Sequence, residues 1–196
     1  VLMPHQVGLF LFKNDLLLHD YPALALAAAE VVQLICIYCL EPTQPPSSLL
    51  SPSNLSPHRQ QFLQQSLLDL HHSLEQLGQQ LIVTSDPVLD IIPQLITQHN
   101  ISRIYCSEHA GYHEQQTWQR LLKPYPFIVF KRTPSHTLFD QTELPFQLSE
   151  LPDSFTKFRK LVEPLNIKAP LAALTQLPPS PVSAMSWPQQ TPPPAH

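Results

Sequence analysis

Five short apolar runs, separated by segments of helix length, restrict the fold of this chain more than any other feature. The runs are Val7–Phe12, Val31–Leu40, Leu81–Thr84, Arg103–Cys106 and Phe127–Phe130. Strands that alternate with helices are joined by right-handed crossovers, which place them parallel in one sheet with helices on both faces. We therefore predict an α/β fold, a Rossmann-like, doubly wound five-stranded parallel sheet. The first two runs are nearly continuously apolar, as strands covered on both faces require, and are predicted to be central.

The segment from Ser56 to Gly78 carries the clearest helix signal. Ser56 followed by Pro57 is typical of a helix start, because serine caps the first amides and proline fits the first turn. Leucines then recur at positions 63, 67, 70, 74 and 77, which places them on one face of the helix. Gly78 follows as a residue that easily adopts the left-handed conformation ending many helices. Three further helices are predicted at Pro22–Glu30, Val88–His99 and Tyr112–Leu122.

Composition and pattern divide the chain into three regions. We assign residues 1–132 to the α/β domain, and residues 133–170 to a connecting segment that contains a short helix at Asp153–Glu163. Residues 171–196 are rich in proline, of which the whole chain has 23. Because proline lacks the amide hydrogen that helices and central strands need, this last region is predicted to be an extended linker or tail.

The composition excludes several classes of function. The net charge is −4 and no basic stripe is visible, whereas a free-standing nucleic-acid binder is usually basic. No apolar run is long enough to span a membrane, and no signal peptide is visible. With three glycines the chain has no glycine-rich phosphate loop, and it also lacks a Gly-x-Ser-x-Gly nucleophile motif. We therefore predict no catalytic residue in this chain.

The three cysteines, Cys36, Cys39 and Cys106, all lie in or beside apolar runs. Cys36 and Cys39 have the Cys-x-x-Cys spacing of redox motifs, but thiols inside a buried strand act as small apolar groups. We therefore predict structural thiols in a reducing compartment, and a cytoplasmic protein.

Polar residues follow three of the predicted strands at their carboxyl ends. These residues are Lys13, Asn14, Asp15, Glu41, Ser107, Glu108 and His109. Ligands of open parallel sheets bind beyond this edge, at the point where the direction of the strand order reverses. The sequence therefore predicts a binding crevice at the carboxyl edge of the sheet.

Several segments of the chain resemble the photolyase/cryptochrome superfamily. Residues 9–24, LFLFKNDLLLHDYPAL, resemble its opening strand, turn and His-Asp segment, and residues 58–83 resemble its Arg-x-x-Phe-Leu helix and the following strand. Residues 137–146, TLFDQTELPF, and residues 150–163, ELPDSFTKFRKLVE, are similar to stretches of the DASH-type cryptochromes. The resemblance covers nearly the whole chain as far as Pro170, and it implies the N-terminal α/β domain of a DASH-like cryptochrome or DNA photolyase.

Four positions depart from the superfamily pattern. Its Trp-Phe-Arg at the end of the first strand reads Leu11-Phe12-Lys13 here, its second arginine reads Leu17, and its asparagine after His-Asp reads Tyr21. Lysine lacks the planar fork of arginine, and leucine lacks a charge altogether. We therefore expect the ion pairs made by this turn to differ from those of the superfamily.

The resemblance implies a role in handling light. In the superfamily this domain holds an antenna chromophore and packs on a helical domain that binds FAD and contacts damaged DNA. The parent activity is then light-driven pyrimidine dimer repair, as in deoxyribodipyrimidine photolyase, or blue-light sensing. The chain stops within what resembles the linker to the helical domain, so we expect that domain to be missing. A fragment of a longer protein and a naturally short relative both remain open interpretations.

The resemblance also identifies candidate cofactor-binding residues. Folate-binding relatives hold the pterin of methenyltetrahydrofolate partly with a glutamate after the fourth strand. The segment SEHAGYHEQQ aligns Glu114 with that glutamate and His113 with a neighbouring asparagine. A carboxylate can accept paired N–H bonds from the 2-amino/N3 edge of a pterin. Glu114 is equally explained as a first-turn helix acid favoured by the helix dipole, and both interpretations remain open.

Two hypotheses from other classes complete the sequence interpretation. His109 and His113 stand four residues apart and could bind a metal with Glu114, but no further ligand stands at motif spacing, so we predict no metal site. The alternative function is a stand-alone nucleotide-binding or protein-interaction module, because a fold alone does not determine an activity.

Overall fold

The computed structural model of the protein describes residues 6–40 and 56–183. The strands in these residues are β1 Val7–Phe12, β2 Gln33–Cys39, β3 Leu81–Thr84, β4 Ile101–Ser107 and β5 Val129–Thr133. The α-helices are α1 Pro22–Glu30, α2 Pro57–Gln76, α3 Val88–His99, α4 Tyr112–Leu122 and α5 Phe155–Val162. Two short 3-10 helices, Gln141–Glu143 and Leu148–Glu150, precede α5.

The strands form one parallel sheet in the order β3-β2-β1-β4-β5, so the predicted doubly wound α/β fold is confirmed. β1 and β2 both lie inside the sheet, and Ile35 and Ile37 of β2 are fully buried. The chain leaves β1 toward β2 and β3 on one side, and β4 returns to the other side of β1. The strand order therefore reverses between β1 and β4, beside the carboxyl end of β1.

Some predicted strand bounds were wrong. The second strand was expected from Val31, but Val31 is the C-cap of α1 and β2 begins at Gln33. The last strand was expected at Phe127–Phe130, but β5 begins at Val129 and the Phe127 side chain is 70% exposed. A short apolar run indicates a strand, but the neighbouring strand decides which of its residues pair. The first β4 residue paired with β5 is Arg103, which lies opposite Val129.

Alternate side chains of β1 enter two different cores. Leu9 and Leu11 pack with residues of α3 and α4, whereas Phe10 and Phe12 pack with residues of α1 and α2. Successive side chains of a strand point to opposite faces, so a continuously apolar strand requires a helical layer on each face. The sheet is therefore the middle layer of three, and its carboxyl edge is the rim between the two helical layers.

The two ends of α2 follow the sequence prediction. The Ser56 side chain accepts a hydrogen bond from the Arg59 amide at 3.4 Å, and Pro57 is the first helical residue. Gly78 has a φ of 77°, the left-handed conformation expected after the helix end. Of the predicted leucine stripe, positions 67, 70 and 74 are buried, and positions 63 and 77 are partly buried against the same core.

The region after β5 contains little regular structure among its described residues. α5 lies within the predicted helix Asp153–Glu163, and residues 171–183 contain neither helix nor strand. Leu174 and Leu177 nevertheless pack onto the core on the α1 and α2 side of the sheet. The described part of the proline-rich region is thus extended and lies on the α/β domain. The division of the chain at residue 132 stays a prediction.

Candidate functional site

A crevice of about 650 Å³ opens at the carboxyl edge of the sheet. It is lined by the ends of β1 and β2, the first turns of α2 and the starts of α3 and α4. The lining residues are Leu11, Phe12, Lys13, Asn14, Leu16, Tyr38, Cys39, Leu40, Arg59, Phe62, Leu63, Ser66, Val88 and Glu114. The crevice lies where the sheet topology predicts a ligand site, and its volume is within the roughly 300–1,000 Å³ of small-molecule sites.

The crevice combines apolar walls with a few charged groups. Tyr38 and the exposed Phe62 supply aromatic surface, Phe12 lies buried beneath the crevice floor, and the leucines supply most of the remaining apolar lining. Lys13 and Arg59 carry positive charges, and Glu114 carries a carboxylate. A planar heteroaromatic ring can stack on such walls while polar groups at its edge are bound by the charged side chains.

Glu114 lies in the first turn of α4, and its carboxylate folds back over the Gly111 backbone. A Cβ atom built on Gly111 would stand 2.0 Å from the Glu114 Oε2 atom, so only glycine leaves room for this conformation. The half-buried Glu114 is therefore both a helix-start acid and part of the crevice lining. Its sequence-predicted contact with a folate stays a prediction. The side chain of His113, the other candidate, lies outside the described part of the structure.

The predicted polar residues after the strands are brought together only in part. The Asn14 amide lies 2.6 Å from the His109 Nε2 atom, which joins the turn after β1 to the loop after β4. The Asp15 carboxylate accepts a hydrogen bond from Ser135 at 2.9 Å and lies 3.7 Å from the His136 ring. Lys13 and Asn14 line the crevice, whereas Asp15 serves the loop contacts behind it. Glu41 lies outside the described residues, and the exposed Glu108 is not part of the crevice lining.

Tyr21 replaces the asparagine of the superfamily pattern with a buried aromatic contact. Its hydroxyl lies 2.7 Å from the Ser107 hydroxyl, and its ring packs against Phe10 and Phe12 with centroid distances of 5.4 and 6.2 Å. Burial raises the pKa of the Tyr21 hydroxyl, so it stays neutral at any physiological pH. Tyr21 thus connects the start of α1 to the end of β4 and packs against Phe12, which lies buried beneath the crevice.

The cysteine side chains are free and buried, as the sequence predicted. Cys36 belongs to the core on the α1 and α2 side, and Cys39 to the core on the α3 and α4 side. Side chains three residues apart on a strand point to opposite faces, so the Cys-x-x-Cys spacing does not form a redox pair here. Burial raises the pKa of the Cys106 thiol to about 12, which keeps it protonated and unreactive.

The residues of α2 that line the crevice were missed by sequence reasoning. Arg59, Phe62, Leu63 and Ser66 belong to the first turns of a helix that follows a strand of a parallel sheet. The start of such a helix lies at the carboxyl edge of the sheet, and this topological signal could have placed them there. Within residues 6–40 and 56–183, no cluster of three His, Cys, Asp or Glu side chains is arranged to hold a metal ion. None of the helices in the same residues is long and apolar enough to cross a membrane.

The sequence profile of the DNA photolyase family matches residues 8–180. The chain belongs to the DNA photolyase family. It corresponds to the N-terminal α/β domain of the family and is similar to cryptochromes of the DASH type. Cryptochrome DASH of Idiomarina loihiensis is 40% identical over 181 residues, and cryptochrome DASH of Vibrio parahaemolyticus is 35% identical over 184 residues.

The photolyase-family chain spans about 40% of the length of these relatives. The alignments cover 91% of this chain but 40% of the Idiomarina protein, and 93% of this chain but 41% of the Vibrio protein. The Synechocystis cryptochrome structure shows the same relation, with a TM-score of 0.80 and 33% identity over 98% of this chain and 40% of its own. A class III photolyase from Agrobacterium tumefaciens shares the fold with a TM-score of 0.77 at 20% identity, covering 94% of this chain and 37% of its own.

Proposed function

We propose that this domain holds an antenna folate, methenyltetrahydrofolate, in the crevice and passes excitation energy to FAD bound by a helical domain. The whole protein would then carry out light-driven pyrimidine dimer repair or blue-light sensing, and meet damaged DNA only through its full length. Membership of the DNA photolyase family supports this assignment. The observation that carries it is the position of Glu114 on a crevice of about 650 Å³ at the carboxyl edge of the sheet.

The chemistry of the lining suits a pterin with an acidic tail. Aromatic side chains at Tyr38 and Phe62 favour stacking of a flat ring. The Glu114 carboxylate suits the paired N–H donors of a pterin edge, and lysine and arginine side chains suit the carboxylates of the tail. His113, beside Glu114 in sequence, is proposed as a second contact to the pterin. The buried thiols agree with a cytoplasmic location.

A nucleotide-binding module remains the second candidate because of two cations in the crevice. Lys13 and Arg59 could hold a phosphate as well as a carboxylate. The chain has no glycine-rich loop whose backbone amides would surround a phosphate, which favours the folate. Titration of the chain with methenyltetrahydrofolate and, separately, with ATP separates the two candidates, since the folate proposal predicts tighter binding of the folate.

Glu114→Gln tests the proposed role of the carboxylate. The variant keeps the shape of the side chain but removes its charge and replaces one acceptor with a donor. A hydrogen bond to a charged group contributes about 1.5–3 kcal/mol, so folate affinity should fall by roughly one to two decades. The measurement is a folate titration followed by absorbance, on the chain alone and on the chain fused to the remaining part of the Idiomarina relative. Thermal unfolding is the control, because a first-turn acid adds only about 0.3–1 kcal/mol to helix stability.

Gly111→Ala provides a matched second variant that keeps the carboxylate but moves it. The new methyl group occupies the position of the Glu114 Oε2 atom, and the flexible end of Glu114 must swing away. The Gly111 backbone itself has a φ of −63°, which alanine adopts without strain. Folate affinity should fall while the melting temperature changes little. Unchanged affinity in both variants would remove Glu114 from the site and leave it as an ordinary helix-start acid.

A further inference from the structure

Residues 174–182, here called the strap, cover the core at the amino end of the sheet. Leu174 and Leu177 pack on the α1 and α2 side, and Leu177 is only 2% exposed. The Leu177 amide donates to the Leu77 carbonyl at the end of α2 at 3.0 Å. Just before the strap, the Leu171 amide donates to the Asp20 carboxylate in the segment between β1 and α1. The segment from Leu171 therefore crosses the α1 and α2 side from the carboxyl edge of the sheet to its amino edge.

The strap completes the pairing of β2 where β3 does not reach. β3 pairs with β2 only from Cys36 onward, so Leu34 has no β3 partner. The Leu34 amide donates instead to the Pro179 carbonyl of the strap at 3.1 Å. The Leu34 carbonyl accepts from the side-chain amide of Gln79 at 2.8 Å. A buried strand end needs partners for its backbone groups, and here the strap and one side chain supply them.

Gln79 connects the sheet to the strap with every polar atom of its side chain in use. Its Nε2 atom donates to the carbonyls of Leu34 and Pro178, at 2.8 and 2.6 Å, and its Oε1 atom accepts from the Gln80 amide at 2.8 Å. The residue is only 4% exposed although its side chain is polar. Loss of this amide would leave the buried Leu34 carbonyl and the partly buried Pro178 carbonyl without their donor, which is costly.

The prolines of the strap are suited to accept hydrogen bonds from the domain. Pro178, Pro179 and Pro181 have no amide hydrogen and cannot form a strand ladder, but their carbonyls remain strong acceptors. Two of those carbonyls are used, by Gln79 and by the Leu34 amide. The Gln80 side chain adds a donor to the Val182 carbonyl at 2.7 Å. The surface under the strap, here called the groove, therefore presents hydrogen-bond donors from Leu34, Gln79 and Gln80 to a segment that offers mainly acceptors.

We propose that the amino end of this domain is a binding groove for an extended proline-containing segment, which the chain's own strap occupies. Gln79 is the residue that holds the strap in register. The strap opens as a unit while the sheet stays folded, because it contains no helix or strand of its own and is held by the apolar contacts of Leu174 and Leu177 and by hydrogen bonds with Gln79, Gln80, Leu34 and Leu77.

The test is amide hydrogen exchange on the full chain carrying Gln79→Leu. The Leu34 amide donates to the strap, and the Leu177 amide belongs to the strap. Both should exchange roughly ten- to hundredfold faster in the variant, since each carbonyl left without its donor weakens the closed state. The amides of Ile35 and Ile104 inside the sheet should keep their protection. The matched control is Gln76→Leu, the same change at an exposed residue near the end of α2, which should leave all four amides unchanged.

Leu177→Ala is a second variant that leaves Gln79 and β2 untouched. It weakens the apolar contact of the strap, and the Leu34 amide should again exchange faster because the Pro179 carbonyl is released with the strap. Equal protection of Leu34 in wild type and both variants would overturn the proposal. Acceleration of the sheet amides by the same factor as Leu34, or loss of the whole fold in the Gln79 variant, would show that the strap is not a separate unit and would overturn it as well.

Discussion

At the scale of single residues, Glu30 shows how one carboxylate can tie a helix to two strands. It accepts hydrogen bonds from Arg103 at 3.0 Å and from Tyr105 at 2.8 Å, both in β4, and it also pairs with Lys131 of β5. Partial burial acts to raise the pKa of Glu30, but the hydrogen bonds from Lys131 and Tyr105 and the charges of Lys131 and Arg103 outweigh it. The pKa therefore lies below the ordinary value of 4.5.

Glu30→Gln should destabilise the fold, because the lysine and arginine lose their anionic partner. Hydrogen bonds to a charged group contribute about 1.5–3 kcal/mol, so the free energy of unfolding should fall by at most about 3 kcal/mol near neutral pH. A lowered carboxylate pKa stabilises the folded state above pH 4.5, and this contribution is lost as the pH falls through the lowered pKa. The free energies of unfolding of wild type and variant should therefore converge in acid. Urea unfolding at several pH values measures this, and a gap that stays constant into acid would contradict it.

At the scale of secondary structure, α2 shows how a leucine stripe separates core from surface. Its buried leucines meet the α1 and α2 core, while Leu68 on another face is 43% exposed. The helix is capped at its start by Ser56 and ends before Gly78 in the left-handed conformation. Local signals thus set the length of the helix, and the stripe sets which face it turns to the sheet.

A pair of leucine truncations on α2 measures this separation. Leu70 is 2% exposed, and Leu70→Ala should cost about 2–5 kcal/mol because it removes apolar contacts and leaves a cavity. Leu68→Ala makes the same chemical change at an exposed position and should stay within about 0.5 kcal/mol of wild type. Thermal and urea unfolding of both variants report the difference. Similar losses at the two positions would mean that Leu68 is buried against another surface in solution.

At the scale of the whole molecule, the chain matches the N-terminal part of longer relatives. It spans about 40% of the length of its DASH relatives, and the crevice and strap lie at opposite edges of its sheet. An antenna domain needs an acceptor for its excitation energy, and under the proposed function that acceptor is FAD in a helical domain. Under the same proposal the crevice holds the chromophore, and the helical domain carries the photochemistry of repair.

The purified chain should therefore carry no stoichiometric FAD and repair no pyrimidine dimers under blue light. The physical reason is that the proposed FAD-binding and DNA-binding surfaces belong to the part of the relatives that this chain does not match. The measurements are an absorbance spectrum and a dimer-repair assay on single-stranded DNA, with the full-length Idiomarina relative as the comparison. Bound FAD together with light-dependent repair would contradict the proposal that FAD binding and dimer repair belong to the helical domain.

The sequence by itself determined the elements whose signals are local. Alternating apolar runs and helices predict a parallel sheet, serine and glycine set the ends of α2, and the continuous apolar run of β1 predicts helices on both faces. The strand pattern predicted the candidate site as an edge of the sheet, and the family resemblance added Glu114. Lys13, Asn14 and Glu114 line the crevice there, but Asp15 turns to other loops, and Arg59 and Phe62 come from a helix that local patterns did not connect to the site.

Only the tertiary structure decided the contacts between distant parts of the chain. Whether Phe127 pairs in β5 depends on the register of β4, and the Tyr21 hydroxyl has its buried partner in Ser107, 86 residues later in the chain. The proline-rich strap has the composition of a linker, yet Gln79 and Leu34 supply donors to it from about 100 and 145 residues away along the chain. Hydrogen bonds and packing depend on separation in space, and a one-dimensional pattern reports only separation along the chain.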